Sequence, residues 1–128
     1  MEYVQLVTLL ALIEYMFFGF LVAKARAKHG VKAPAITGPE AFDRTFRVHQ
    51  NTLEALIVFL PALWLFGIYV SSGIAAILGL VWLIGRGLYA WGYLAAAEKR
   101  GPGAGISGLV QIALVLGALF GLIRALIG

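Results

Sequence analysis

The sequence predicts an all-α integral membrane protein built as a bundle of four transmembrane helices. Of its 128 residues, 62% are hydrophobic and only 12% are charged. Soluble domains contain roughly 45–50% apolar and about 25% charged residues, and a chain this short has too little polar surface to cover so large an apolar fraction. The excess apolar surface is therefore expected to face lipid.

The residue types also exclude several kinds of site. The chain contains no cysteine, which excludes disulfides, thiolate ligands and a cysteine nucleophile, and its only histidines are His29 and His49. A protein-only metal site is therefore not expected. The net charge of +4 would suit nucleic acid only on the basic face of a soluble fold. Positively charged cytoplasmic loops explain it better, so no nucleic-acid partner is expected.

Four stretches are long enough to cross the hydrocarbon layer, which takes roughly 20 apolar residues. They span about residues 3–23, 39–70, 74–100 and 106–127, and they make residues 1–128 a single membrane domain. The first stretch has no positive charge before it and is too long for the apolar region of a signal peptide, so it is interpreted as a retained span. Long continuous runs without short alternating patterns favour helices over a β-barrel.

Local signals place the start of the second helix. Thr37 and Glu40 have the spacing of a capping box, and Pro39 suits a first helical turn. A helix from Pro39 to about Val70 has about 30 residues and a length of roughly 45 Å, which exceeds the hydrocarbon layer. Its first turns are expected to project into the cytoplasm, and Pro61 is expected to kink it.

Glycine and proline mark the later helices. The run Gly101-Pro102-Gly103 predicts the end of the third helix, and Ser107 is expected to cap the fourth. Gly117 and Gly121 have the GxxxG spacing, which allows close helix packing. That packing is expected either within one subunit or between subunits.

Positive charges are distributed unevenly among the connections. Eight of the ten Lys and Arg residues lie in or beside the first and third connections, and the second connection, near Ser71, has none. The positive-inside rule therefore places the first and third connections in the cytoplasm and both termini of this multi-pass protein on the other side.

Two helices carry polar residues on a single face. Ionisable groups within a span are costly and usually face a partner or a water-filled cavity. The second helix has steps of three or four residues between Arg44, Arg47, Asn51 and Glu54, and the third has steps of three, four and seven between Arg86, Tyr89, Tyr93 and Arg100. Because the two helices are antiparallel, these faces are expected to line one pocket near the cytoplasmic face.

Three ionisable residues are expected at one depth within the spans. Glu14, Glu54 and Arg86 each lie about ten residues, or roughly 15–17 Å, from the cytoplasmic boundary. The spacing predicts a buried structural ion pair between Arg86 and one of the two glutamates, either Glu54 or Glu14.

The residues nearer to water suit a small anionic ligand. Arginine can hold a carboxylate through two parallel hydrogen bonds, and the candidates at this level are Arg26, Arg47, Arg100, Asn51, Tyr89 and Tyr93. Each tyrosine alone also fits the aromatic belt of a membrane protein. The basic cluster from Lys24 to Lys32 fits contact with anionic membrane lipid.

Two segments resemble a known family. Residues 42–54, FDRTFRVHQNTLE, match the second-helix pattern of Arg, Asn and Glu in the membrane-associated proteins in eicosanoid and glutathione metabolism, the MAPEG family. Residues 86–93, RGLYAWGY, followed by Arg100, give a second match. The resemblance covers nearly the whole chain and is to the branch of leukotriene C synthase and the microsomal glutathione transferases of types 2 and 3.

The resemblance implies a homotrimer that binds glutathione as a co-substrate between neighbouring subunits, without a metal. The residues matching the family's glutathione ligands are Arg26, Arg47, Asn51, Glu54, Tyr89 and Tyr93, and Arg100 matches the catalytic residue that faces the thiol. The implied reaction is conjugation of the glutathione thiolate to lipophilic electrophiles from the bilayer, with glutathione-dependent peroxidase activity as a further possibility. The alternative is a non-catalytic lipid- or ligand-binding scaffold, like the lipoxygenase-activating protein.

The sequence departs from the synthase pattern at three positions. His49 stands where leukotriene C synthase has glutamine, Ala55 stands where it has tyrosine, and Ile112 stands where it has an aromatic residue near its lipid. Leukotriene specificity is therefore not expected to carry over.

Overall fold

The computed structural model describes all 128 residues as four long helices joined by short connections. The helices are α1 (Glu2–His29), α2 (Glu40–Tyr69), α3 (Ser72–Ala95) and α4 (Gly101–Ile127), with a short 3-10 turn (Ala97–Arg100) before α4. All four are long and apolar enough to cross a membrane. The predicted all-α architecture with four apolar helices is confirmed, and the protein is an integral membrane protein.

The helices pack around stacked aromatic rings. Phe59 of α2 and Trp82 of α3 are fully buried and lie parallel, with ring centroids 4.0 Å apart. Val4 and Val7 of α1 and Leu114 of α4 complete this core. The outward faces of the helices carry many exposed Leu, Ile and Phe side chains, as expected for surfaces that contact lipid rather than water.

Two tryptophan side chains inside the bundle have hydrogen-bond partners for their indole groups. The indole N–H of Trp64 donates to the Thr8 hydroxyl at 2.8 Å, and that of Trp82 donates to the Gln111 side-chain oxygen at 3.0 Å. An indole nitrogen is a donor only, so each bond satisfies the single polar group of its ring where no water competes.

The start of α2 is close to the predicted position, but the predicted capping box is not formed. Asp43, within the first turn of α2, accepts a hydrogen bond from the Gly38 backbone N–H at 2.9 Å and from the Thr37 hydroxyl at 3.4 Å. Glu40 instead pairs with Arg44 at 2.7 Å. Glu40 is therefore engaged one turn further on, and the Asp43 carboxylate organises the connection.

The boundary between α3 and α4 differs from the prediction. The Gly101-Pro102-Gly103 run, expected to end a helix, forms the first turn of α4. Proline is tolerated there because the first amides of a helix have no intrahelical partner. Ser107 consequently lies inside α4, where its hydroxyl donates to the Gly103 carbonyl at 3.2 Å, and it caps no helix.

The GxxxG residues of α4 pack within the subunit. A methyl group at Gly117 would meet the Phe66 ring, and one at Gly121 would meet the Tyr69 carbonyl of α2. Of the two expected uses of this spacing, the structure shows close contact between α4 and α2 of one chain.

Gly103→Ala is expected to destabilise the bundle by about 1–3 kcal/mol, because its Cβ would overlap backbone atoms of Tyr89 on α3. The measurement is the free energy of denaturant unfolding in detergent micelles. Gly105→Ala is the matched control, since no atom lies within 4 Å of its Cβ position, and it is expected to be neutral or to stabilise α4 by up to about 1 kcal/mol. Equal effects of the two changes would contradict a main-chain contact between α3 and α4.

Candidate functional site

A polar cavity of about 230 Å³ lies at one end of the bundle, among α2, α3 and the start of α4. Its walls are Arg47, Asn51, Tyr89, Tyr93, Arg100 and Ala104. The four-residue steps on α2 and on α3 place each pair of side chains on one helical face. The structure thus brings together five of the seven residues that were predicted to bind a ligand or to catalyse.

Two tyrosines and one arginine form the side of the cavity nearest the third connection. Tyr89 is only 3% exposed, and its ring meets that of Tyr93 edge to face, with centroids 5.6 Å apart. The Arg100 guanidinium lies 5.5 Å from the centre of the Tyr93 ring, and one of its N–H groups donates to the Ala97 carbonyl at 2.9 Å. Arg100 is otherwise exposed, so most of its five donors remain available to a ligand.

Arg86 lies one turn further into the span than Tyr89 and is only 3% exposed. Its guanidinium donates to the Thr52 hydroxyl at 2.9 Å, to the Asn51 side-chain oxygen at 3.0 Å and, more weakly, to the Ser107 hydroxyl at 3.4 Å. It also lies 4.1 Å from the centre of the Tyr89 ring. Arg86 therefore contacts two cavity residues without lining the cavity itself.

The side chains that contact Arg86 are oriented so that each presents a hydrogen-bond acceptor to the guanidinium. Thr52 donates its hydroxyl proton to the Val48 carbonyl at 2.8 Å, and Ser107 donates its own to Gly103. Their lone pairs are thus left to accept from Arg86. Because a guanidinium only donates, Asn51 must turn its oxygen toward Arg86, and its NH₂ group remains as a donor at the cavity wall.

The predicted ion pair of Arg86 with Glu14 or Glu54 is not formed within the chain. The single salt bridge in the structure joins Arg44 and Glu40. Glu14 lies beside Gly87, one position around the helix from Arg86, and Glu54 is exposed on α2. Equal depth did not produce contact because these side chains project in different directions around the helices.

Two predicted ligand residues, Arg26 and Glu54, lie outside the cavity. Arg26 donates to the Ala35 carbonyl at 2.6 Å and lies 5.3 Å from the centre of the Phe42 ring, so within one chain it holds the first connection against α2. His49, expected at the membrane interface, stacks on Tyr15 with ring centroids 4.4 Å apart and does not line the cavity.

Thr52 and Ser107 were not predicted as part of the site. Each is a small hydroxyl residue within an apolar span, and each is almost fully buried. A hydroxyl can donate to its own helix backbone and still accept from an arginine, so their presence in spans facing Arg86 was the available signal. No cluster of His, Cys, Asp and Glu that could hold a metal ion is present.

Four apolar helices with an arginine- and tyrosine-lined cavity at one end define an integral membrane protein with a basic internal site. The family model described as the MAPEG family matches residues 4–120. The chain belongs to this family, and the resemblance found in the sequence is confirmed.

Three relatives are similar over most of the chain. An uncharacterised protein of Synechocystis is 54% identical over 118 residues, which cover 92% of this chain and 86% of that protein. Microsomal glutathione S-transferase 2 of Mus musculus is 44% identical over 115 residues, covering 87% and 78% of the two chains. Leukotriene C4 synthase of Cavia porcellus is 42% identical over 94 residues, covering 73% and 63%.

A double-mutant cycle tests the partners of Arg86. Arg86→Leu combined with Thr52→Val is expected to show a coupling free energy of about 1–3 kcal/mol, because the two side chains share a buried charge-assisted hydrogen bond. Arg86→Leu combined with Glu14→Gln is expected to show a smaller coupling, because no hydrogen bond or salt bridge joins these two side chains. The measurement is the free energy of unfolding in detergent. A larger coupling with Glu14 than with Thr52 would instead support an ion pair between Arg86 and Glu14.

Proposed function

We propose that this chain is a membrane-bound glutathione transferase that joins the thiol of glutathione to lipophilic electrophiles. The observation that carries this proposal is the cavity, where Arg47, Asn51 and Arg100 offer hydrogen-bond donors beside two tyrosines. Glutathione is a small anionic peptide, and its carboxylates are the groups that arginine and amide donors recognise. The named relatives include a glutathione S-transferase and a leukotriene C4 synthase, which supports an enzyme rather than a non-catalytic scaffold.

Arg100 is proposed as the catalytic residue. The thiolate, not the thiol, is the nucleophile, and a free thiol has a pKa near 8.5. A guanidinium beside the sulfur stabilises the thiolate, and each unit of pKa lowering corresponds to about 1.4 kcal/mol. Arginine keeps its charge at every working pH, and Arg100 commits one N–H group to the chain, at Ala97.

The reaction balances with glutathione and an electrophile alone. The thiol proton passes to water, and the sulfur electron pair forms a bond to the electrophilic carbon. With an epoxide the carbon–oxygen bond breaks and the oxygen takes a proton from water. With a hydroperoxide the sulfur takes the terminal oxygen, the lipid leaves as an alcohol, and a second glutathione then gives the disulfide and water. We propose this peroxidase reaction as a second activity of the same site.

We also propose that the protein is a homotrimer with its site at the boundary between subunits. Glu54 is exposed on the membrane-spanning α2 and has no salt-bridge partner. A bare carboxylate facing lipid costs several kcal/mol, so a second copy or the ligand is needed to cover it. Arg26 is absent from the cavity of its own chain, and a neighbouring subunit could supply it.

We further propose an orientation in the membrane. Residues 1–128 form one membrane domain, with the cavity near the cytoplasmic face and both termini on the opposite side. Support comes from the cavity's own walls, since Arg47 and Arg100 flank the two connections that are rich in Lys and Arg.

Arg100→Gln is expected to lower the conjugation rate with 1-chloro-2,4-dinitrobenzene about sixteenfold at pH 7, as the pKa of the bound thiol returns from about 7 to about 8.5. The deficit should shrink above pH 8.5, where the thiol ionises without help. Lys99→Gln removes the same charge from an exposed neighbour outside the cavity, and its rate should stay within about twofold of the parent. A deficit independent of pH, or one equal in both variants, would refute the role of Arg100.

Coexpression of two impaired variants tests the shared site. Arg26→Gln and Arg100→Gln chains should each form trimers in which every site lacks one arginine. When the two chains assemble at random, about a quarter of all boundaries in the trimer population join an intact Arg26 to an intact Arg100, so about a quarter of the parent activity should return. Separately purified variants mixed in detergent are the control. Failure to recover activity in verified mixed trimers would place both arginines in the site of one chain.

A further inference from the structure

A groove runs along α2 and α4, two helical turns beyond the polar cavity. Asn51 and Ala104 form part of the cavity wall, and two helical turns further on the same faces present Val58 and Gln111. Two adjoining hollows of about 270 and 370 Å³ follow, and they share Val58 and Val115. This α2–α4 groove is lined by Val58, Pro61, Leu65, Gln111, Val115 and Leu122.

Gln111 is the one side chain in the groove with hydrogen-bonding groups, because the other walls are aliphatic residues, proline and glycine. Its oxygen accepts the indole N–H of Trp82 at 3.0 Å. Trp82 is fully buried and stacked on Phe59, so it holds the amide firmly. Since an indole nitrogen only donates, the oxygen must face Trp82, and the NH₂ group of Gln111 faces away from it with both protons unused.

An amide NH₂ group without an acceptor is unfavourable in hydrocarbon, where no water can replace the missing bond. The groove is otherwise apolar and lies on the lipid-facing surface of the helices. A bilayer-soluble chain with one acceptor oxygen, as a ketone or a hydroxyl, fits the apolar walls and also pairs with the amide NH₂ group. A chain of hydrocarbon alone would leave the amide unpaired.

We propose that Gln111 selects the lipophilic electrophile by donating a hydrogen bond to an oxygen on its tail. The proposal rests on the transferase function and names the class of substrate that the same site takes. Gln111 lies seven residues beyond Ala104, or roughly 10 Å along α4, a distance that about eight methylene groups span. The selected electrophile therefore carries its acceptor oxygen about eight bonds from the carbon that reacts.

The test compares two long-chain α,β-unsaturated aldehydes of equal length, one with a ketone oxygen about eight bonds from the electrophilic carbon and one with methylene there. Purified protein in nanodiscs is expected to favour the ketone about fivefold in kcat/KM, as a modest net hydrogen bond allows. Gln111→Met should reduce this ratio to about one. Conjugation of 1-chloro-2,4-dinitrobenzene by this variant is the check that it is folded and still binds glutathione.

Two further variants separate selection from packing. Leu116→Ala alters the same groove without a polar group, so it should change kcat/KM for both aldehydes alike and keep their ratio. Trp82→Phe keeps the amide but frees it to rotate, and the ratio should fall part of the way. An unchanged ratio in Gln111→Met overturns the proposal. If that variant also has a changed oligomeric state, the groove is instead a contact with a second copy of the chain. Absence of conjugation with every electrophile would instead refute the transferase function.

Discussion

A guanidinium buried in a bilayer must be surrounded by hydrogen-bond acceptors, and the burial of Arg86 sets where three helices meet. Its acceptors come from α2, at Asn51 and Thr52, and from α4, at Ser107. The two hydroxyls return their own protons to the backbone of the same helix, so Arg86 joins the helices without a carboxylate. A neutral set of partners avoids desolvating a second charge.

The shape of the cavity depends on the hydrogen bonds of Arg86 and on one close contact between the backbones of α3 and α4. Gly103 lies against the backbone of Tyr89, which brings the start of α4 onto α3 and places the preceding Arg100 over the Tyr93 ring. Arg86 meanwhile holds the Asn51 oxygen, so the amide NH₂ group lies at the cavity wall. The chemistry of the site therefore follows from main-chain contact on one side and a buried charge on the other.

Much of this arrangement could be predicted from sequence, since apolar length indicates spans and helical spacing indicates shared faces. Arg47 with Asn51, and Tyr89 with Tyr93, follow from four-residue steps alone. The partner of Arg86 did not follow, because depth along a helix says nothing about direction around a neighbouring one. The boundary between α3 and α4 was predicted wrongly because the run Gly101-Pro102-Gly103 contains residues typical of a helix end that are also allowed in a first helical turn. In the proposed homotrimer, the surroundings of Arg26 and Glu54 would include surfaces beyond one chain.

The central claim is that the cavity binds glutathione as a thiolate and that Arg100 holds it in that form. An ultraviolet difference spectrum at neutral pH, with binding followed in parallel by calorimetry, measures this without any electrophile. The parent protein in detergent should show thiolate absorbance on addition of glutathione, and Arg100→Gln should bind glutathione without that absorbance. Equal thiolate signals in the two proteins, or no glutathione binding by the parent, would contradict the account.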